Sequence, residues 1–404
     1  MVTGEPEPRG HLTEVFIFMG DQIIKKIAYI SGTRADFGMM TPVLRTIDKS
    51  KRLKLQIYAT GSHLMPEFGL TVDQVEKEFP GKVKKISCVF KSDDRKGMAK
   101  FTGEFLTNIV NALSKNRPDF ILTLGDRPEM LCAATAALYL GIPTGQMGGG
   151  ERTSTVDEIA RHAITKLSQI HFPSTEESAK RIEKMGEEKW RIHIVGAPAL
   201  DVILNEKLLS REDLFQKLDL DPDHKVILVT QHPVSEEFER AGKQMEETMA
   251  AVKKFNLLVV VAYPHPDAGG RRIIKVIERE KNNSLFRIVK SLPYKHFLTL
   301  EREAAVWIGN SSAAMIESSS FNVPVVNIGS RQSGRQRGDN VIDVGYKRAE
   351  IIAAIHKSLD DNIYRARVAK SKNPWGDGKT GPRVAKILEE LDINPRLLAK
   401  QINY

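Results

Sequence analysis

Cysteine is nearly absent: only Cys88 and Cys132 occur in 404 residues. Two cannot build a disulfide framework, and their positions lack the paired spacing of a zinc site. Cys132 sits in an apolar, helix-like stretch and reads as a buried free thiol. A reducing, cytoplasmic setting is the expectation. No apolar run approaches the roughly 18 residues of a membrane span, so no membrane partner is expected. Aromatics are scarce at 7%, and the basic residues behind the net charge of +9 form no single arm. That argues for a solvated basic surface or a phosphorylated ligand, and against nucleic acid. No G-x-G-x-x-G fingerprint, metal-ligand spacing, short repeat or low-complexity block is present. Residues 1–20 lack the basic start, long apolar core and cleavage site of a signal peptide. They read as a disordered extension, with Met19 a natural start.

What is present is ample apolar content, 41%, which supports packed cores. The length favours two domains. From Ile23 the pattern is strand, polar turn, helix, repeated. Strands are expected at Ile23–Ser31, Leu53–Ala59, Val83–Val89, Phe120–Leu124 and Pro143–Met147. Helices are expected at Met40–Ser50, Met98–Ser114 and Met130–Leu140 between them. A second series starts after Gly196-Ala197-Pro198, with strands at Val226–Thr230, Leu257–Ala262, Phe286–Lys290, Ala305–Ile308 and Val323–Asn327. Alternation of this kind gives right-handed βαβ units and parallel sheets buried on both faces. The expected fold is α/β: two Rossmann-like, doubly wound parallel-sheet domains with a cleft between them. Residues 21–196 form the first domain, 197–380 the second, and 381–404 a terminal helical segment.

Ligands in such sheets bind beyond the carboxyl ends of the strands. The polar clusters fall there. Asp126 and Glu151 end successive strands, and Asp157 follows shortly after. Convergent carboxylates suit acid/base work on a sugar, although Asp157 also fits a helix cap or first-turn acid. Arg34 lies in a strand-end loop and is suited to clamping phosphate, and Arg331 and Arg335, in the Gly-bearing loop after the last strand, suggest diphosphate or a merely solvated loop. Ser311 and Ser312 open an expected helix Ala313–Ser320, whose start is an anion site or a plain cap. Glu317 lies deeper in that helix, able to accept from ribose hydroxyls or to be merely solvated. His232 ends the first strand of the second domain; a cationic imidazole there would stabilise a departing phosphate. His265 is a second candidate. A structural role for either histidine is the plain alternative.

Gly32-Thr33-Arg34-Ala35-Asp36, Gly61-Ser62-His63, Gly125-Asp126-Arg127, Gly149-Gly150-Glu151 and the stretch from Asp157 to Lys166 resemble hydrolysing UDP-N-acetylglucosamine 2-epimerases. Gln231-His232-Pro233, Gly309-Asn310-Ser311-Ser312, the loop from Gly329 to Asn340 and Trp375-Gly376-Asp377-Gly378 continue the match. The non-hydrolysing relatives carry Arg-Pro-Glu in the first motif with a lysine soon after. Here Arg34-Ala35-Asp36-Phe37-Gly38-Met39 has neither, and no arginine-rich motif follows His232.

The resemblance implies a GT-B architecture, with the last helix crossing back to the first domain and UDP in the cleft. It implies loss of the C2 proton with expulsion of UDP, giving a 2-acetamidoglucal, then hydration to N-acetylmannosamine as a first step towards sialic acid. Asp126, Glu151 and Asp157 would be the acid/base carboxylates. His232 and Arg34 would stabilise the leaving phosphate, with Ser311, Ser312 and Arg331 on the diphosphate. Glu317 would take the ribose hydroxyls and Phe297 would stack on uracil, while Arg127 and His162 support the sugar side. No cofactor and no metal are required, and a homodimer or homotetramer is implied. The same motifs suit a nucleotide-linked 2,4-diacetamido-2,4,6-trideoxyhexose of legionaminic-type synthesis. Rival classes are a GT-B glycosyltransferase, separable by the need for an acceptor, and a non-catalytic nucleotide-sugar sensor, which has no use for the full set of acids.

Overall fold

The computed structural model describes residues 24–403; the expected extension at 1–20 lies outside them. Among the described residues, twelve strands form two parallel sheets of six. In the first, β1 (Lys25–Ser31), β2 (Leu53–Ala59), β3 (Val83–Lys85), β4 (Phe120–Leu124), β5 (Thr144–Met147) and β6 (Ile170–Phe172) run in the order β3-β2-β1-β4-β5-β6. In the second, β7 (Val226–Thr230), β8 (Leu258–Ala262), β9 (Phe286–Val289), β10 (Ala304–Gly309), β11 (Val325–Ile328) and β12 (Val341–Val344) run β12-β11-β10-β7-β8-β9. Both orders reverse once, between β1 and β4 and between β7 and β10. A crevice opens at each such switch point, and the two crevices face each other.

The strands are short because they are buried on both faces. β7 is buried at all five positions, and β1 at its last five. Each sheet has a core on either side, one of them built by Phe101, Phe105, Ile109 and Leu113 from a single helical stripe. The helix Thr380–Glu390 sends Val384, Ala385 and Leu388 into the core of the first sheet, beside Val43, Leu44 and Ile47. Asp201 accepts from the first amides of that helix, Thr380 N at 2.8 Å and Gly381 N at 2.7 Å. The Lys25 ammonium donates to its final carbonyls at Leu388, Glu389 and Leu391. Both ends therefore carry the charge that the helix dipole favours.

Several elements depart from the sequence expectation. The first helix spans Arg34–Lys49, not Met40–Ser50, because Thr33 and Asp36 form a capping box. Asp36 is consumed there, accepting from Ser31 Oγ and the Gly32 and Thr33 amides. The region beyond Lys85 stays buried at Ile86 and Cys88 but leaves the sheet. The helix expected over Ala313–Ser320 covers only Ser312–Ile316, and a 3₁₀ turn at Ser318–Phe321 follows. Strands β6 and β12 were not expected. Both cysteines are buried free thiols.

The two halves touch closely where helix Arg34–Lys49 meets helix Tyr294–Glu303. A Cβ on Gly38 would lie 2.5 Å from Tyr294 Cγ, so only glycine allows the approach. Gly38→Ala is expected to cost about 1–3 kcal/mol and to lower Tm by a few degrees. A thermal melt superimposable on the wild type would show that the contact yields freely.

Candidate active site

One cavity lies between the facing strand ends, and it draws on both halves. From the first come Arg34, Asp126, Arg127, Glu151 and Asp157; from the second come His232, Phe297, Ser311, Ser312, Glu317 and Arg331. His162 is not among its walls. On helix Val156–Leu167, Asp157 and Arg161 stand four residues apart and share a face. His162 sits about 100° further round, half-buried beside Glu158 at 3.5 Å.

Backbone geometry sets the carboxylates. Gly150 has φ +75°, and a Cβ there would lie 2.2 Å from the Ser178 carbonyl oxygen. Glycine alone permits that turn, and it delivers Glu151, 5% exposed, into the cavity. Each carboxylate meets an arginine. Asp126 pairs with Arg161 from its own half. Glu151 pairs with Arg335 and Asp157 with Arg331, the latter at 3.5 Å, and both arginines come from the loop after β11. These last two pairs bridge the cleft. Arg127 Nε reaches Glu129 at 3.2 Å, and its Nη1 reaches Asp267, across the cleft, at 3.3 Å. The cavity thus balances acid against base before any ligand enters, which limits the cost of burying so many charges.

On the opposite wall Asn310 ties three loops together. Its Oδ1 accepts from the His232 amide at 2.7 Å, and its Nδ2 donates to the His232 carbonyl at 2.9 Å. Its own carbonyl accepts from Arg331 at 3.2 Å and Gln332 at 2.9 Å. Ser311 is the cap of the short helix, yet its side chain makes no capping bond. Ser311 and Ser312 both line the cavity.

The surroundings of His232 work against the expected cationic imidazole. Burial, then the neighbouring His265 and Arg331, hold its pKa well below the usual imidazole value. These surroundings favour the neutral ring at pH 7. It stacks on His265 with centroids 4.3 Å apart and planes 9° from parallel. The His265 amide donates to His232 Nδ1 at 3.2 Å, which puts the ring proton on Nε2. His63, by contrast, is bonded to Ser31 at 2.9 Å and Thr71 at 2.8 Å behind the cavity wall. Burial pushes its pKa down to about 3, so it is a neutral brace.

Arg34 lies over the Phe297 ring, 5.1 Å from its centroid, and Phe297 meets Trp307 edge-on. Glu317 is not deep in a long helix but at the joint where the short helix ends. It is 1% exposed and accepts from the Tyr294 hydroxyl at 3.1 Å. Sequence reasoning gave no part to Arg161, Asp267, Tyr294 or Glu301, and passed over the pairing of Arg335 with Glu151. For Arg161 a signal existed in its i, i+4 spacing from Asp157. Among the described residues no group of three or more His, Cys, Asp or Glu is placed to hold a metal ion, and no helix is long and apolar enough to cross a membrane.

Two Rossmann-type sheets whose switch-point crevices face each other across one cavity, with Asp126, Glu151 and Asp157 from the first half and His232, Ser311 and Arg331 from the second, define a GT-B-like fold. A crystal structure of Methanocaldococcus jannaschii UDP-GlcNAc 2-epimerase in complex with UDP-GlcNAc and UDP has this fold: TM-score 0.74, 22% identity, covering 90% of this chain and 99% of that one. Residues 45–389 match the UDP-N-acetylglucosamine 2-epimerase family model. The chain belongs to that family. It is 38% identical over 378 residues to a UDP-N,N'-diacetylbacillosamine 2-epimerase (hydrolyzing) of Legionella pneumophila, covering 94% of this chain and 99% of the relative. A GDP/UDP-N,N'-diacetylbacillosamine 2-epimerase (hydrolyzing) of Campylobacter jejuni is 34% identical over 323 residues, or 79% of this chain and 84% of its own.

Proposed function

We propose that this protein is a hydrolysing 2-epimerase of a UDP-linked 2,4-diacetamido-2,4,6-trideoxyhexose, rather than of UDP-N-acetylglucosamine. The reaction is supported by the opposition of Asp126, Glu151 and Asp157 to His232, Ser311 and Arg331 across one cavity. The substrate is supported by the two diacetylbacillosamine epimerases, which are 38% and 34% identical to this chain. A second recess adds to it. That recess shares Met98, Asp126, Pro128 and Asp157 with the main cavity; of its other walls Ala99, Leu131, Val156 and Ala160 are apolar, and Arg95, Thr102 and Ser235 are polar. Apolar walls suit a deoxy methyl and an acetyl methyl better than the two hydroxyls that UDP-N-acetylglucosamine carries at those carbons.

The chemistry runs in two steps. A carboxylate takes the C2 proton, the C–H electrons form the C1=C2 bond, and the C1–O bond breaks to release UDP. Proton loss from so weak an acid must be coupled to departure of the diphosphate, whose growing charge meets His232 Nε2–H, the two serine hydroxyls and the arginines. Water then adds its hydroxyl to C1, and a proton returns to C2 on the other face. The product is the free 2-epimeric sugar plus UDP. Asp126, Glu151 and Asp157 share the two proton transfers and the support of an oxocarbenium-like C1.

Incubation with the UDP-linked diacetamido sugar in deuterated water, followed by proton NMR, tests this. Free UDP and a manno-configured sugar carrying deuterium at C2 are expected, with kcat/KM at least tenfold above that for UDP-N-acetylglucosamine. Equal or better turnover of UDP-N-acetylglucosamine overturns the substrate assignment. Turnover of neither overturns the reaction.

A further inference from the structure

Helix Tyr294–Glu303 presents Tyr294, Phe297 and Glu301 at i, i+3 and i+7, so the three share one face. The first two handle residues of the cavity wall: Tyr294 donates to Glu317, and Phe297 carries Arg34. Glu301 is not a cavity wall residue. It lies behind Glu317, 0% exposed, within hydrogen-bonding reach of that carboxyl. Neither Glu301 oxygen has a donor from the protein, and Glu317 Oε2 has none either. Arg34 leaves Nη1 unpaired in the same place, so it bonds neither acid through that nitrogen. Two buried carboxyls in contact, with no donor between them, cannot both be ionised. The charged and titratable groups facing the pair are Arg34 from helix Arg34–Lys49 and Tyr294 from Glu301's own helix.

We propose that Glu301 is a positioning residue for the nucleotide: it keeps one proton and donates it to Glu317, which holds Glu317 ionised and turned as an acceptor for the vicinal hydroxyls of a ribose. The inference rests on the reading of the cavity as a UDP-sugar site. Burial pushes both carboxyls up, Glu301 well above the ordinary range and Glu317 to about 7, so Glu317 ionises first, as pH rises through about 7, and Glu301 is the proton holder above that. With that proton lost at alkaline pH, two negative charges adjoin and the acceptor is no longer held. Nucleotide affinity should then fall.

Titration calorimetry with UDP from pH 6 to 9 tests this on wild type, Glu301→Gln and Glu301→Leu. Glutamine supplies a permanent donor of the same shape. It should bind within about threefold of wild type at pH 7 and lack the alkaline fall that wild type shows. Leucine removes the donor; Kd for UDP should rise at least tenfold at pH 7, with KM for the nucleotide sugar rising far more than kcat falls. Equal affinity of Glu301→Leu and wild type overturns the role. So does a wild-type pH profile that Glu301→Gln reproduces, a comparison that stands even if the leucine variant fails to fold. If UDP does not bind wild type at all, it is the nucleotide-sugar reading that has failed.

Discussion

Glu151→Gln should lower turnover about a thousandfold and leave UDP affinity within about tenfold, 1.4 kcal/mol. The argument starts from the pairing. Glu151 is buried, and its carboxylate accepts from Arg335 across the cleft. Glutamine keeps the shape and an acceptor oxygen for Arg335, so the loop after β11 has no cause to move. What glutamine lacks is the ability to take or return a proton. If Glu151 carries a proton in either step, the loss falls on kcat and not on binding. Single-turnover measurements with the UDP-linked diacetamido sugar, beside calorimetry with UDP, separate the two. Turnover above a tenth of wild type would leave Asp126 and Asp157 to carry both transfers, and Glu151 would be no more than a bridge between the halves.

Much of this arrangement was legible in the residues. Short apolar runs ending in glycine and polar residues marked ten of the twelve strands. Because parallel strands all end at one edge, they placed Asp126, Glu151, His232 and Ser311 along facing crevices. The two strands that went unseen carry weak signals. β6 is three residues long, and its central His171 is satisfied only by Glu187, at 3.0 Å. β12 is a half-exposed edge strand interrupted by Asp343. The start of the first helix was read six residues late because its capping box, Thr33 with Asp36, lies inside a motif that also reads as a ligand loop. Charge states were the least legible. The sequence shows a histidine at a strand end; only its burial, and then its neighbours His265 and Arg331, push its pKa down. Glu301 was invisible for a related reason: its partner Glu317 is 16 positions away in sequence, on a turn whose helix is shorter than its residues suggest.

His232→Ala should lower kcat by about 10²–10³, the usual range for loss of one preorganised donor to a developing anion. The pH dependence of wild type then decides which form of the ring acts. If the cation were required, kcat would fall as pH rises through the ordinary imidazole range near 6.5. Here the folded pKa is depressed, so the neutral ring already prevails at pH 7 and above. Raising pH from 7 to 9 removes no proton from it, and kcat should stay flat on its account, while the shared carboxyl proton acts through KM. The tautomer matters as much as the charge. The amide of His265 occupies Nδ1, so Nε2–H is the donor left for a phosphate oxygen. A kcat that drops tenfold per pH unit above 7 in wild type, and not in His232→Gln, would return the ring to the cationic role. A His232→Ala variant within threefold of wild type would remove it from leaving-group stabilisation and pass that task to Arg34, Arg331 and the serine pair.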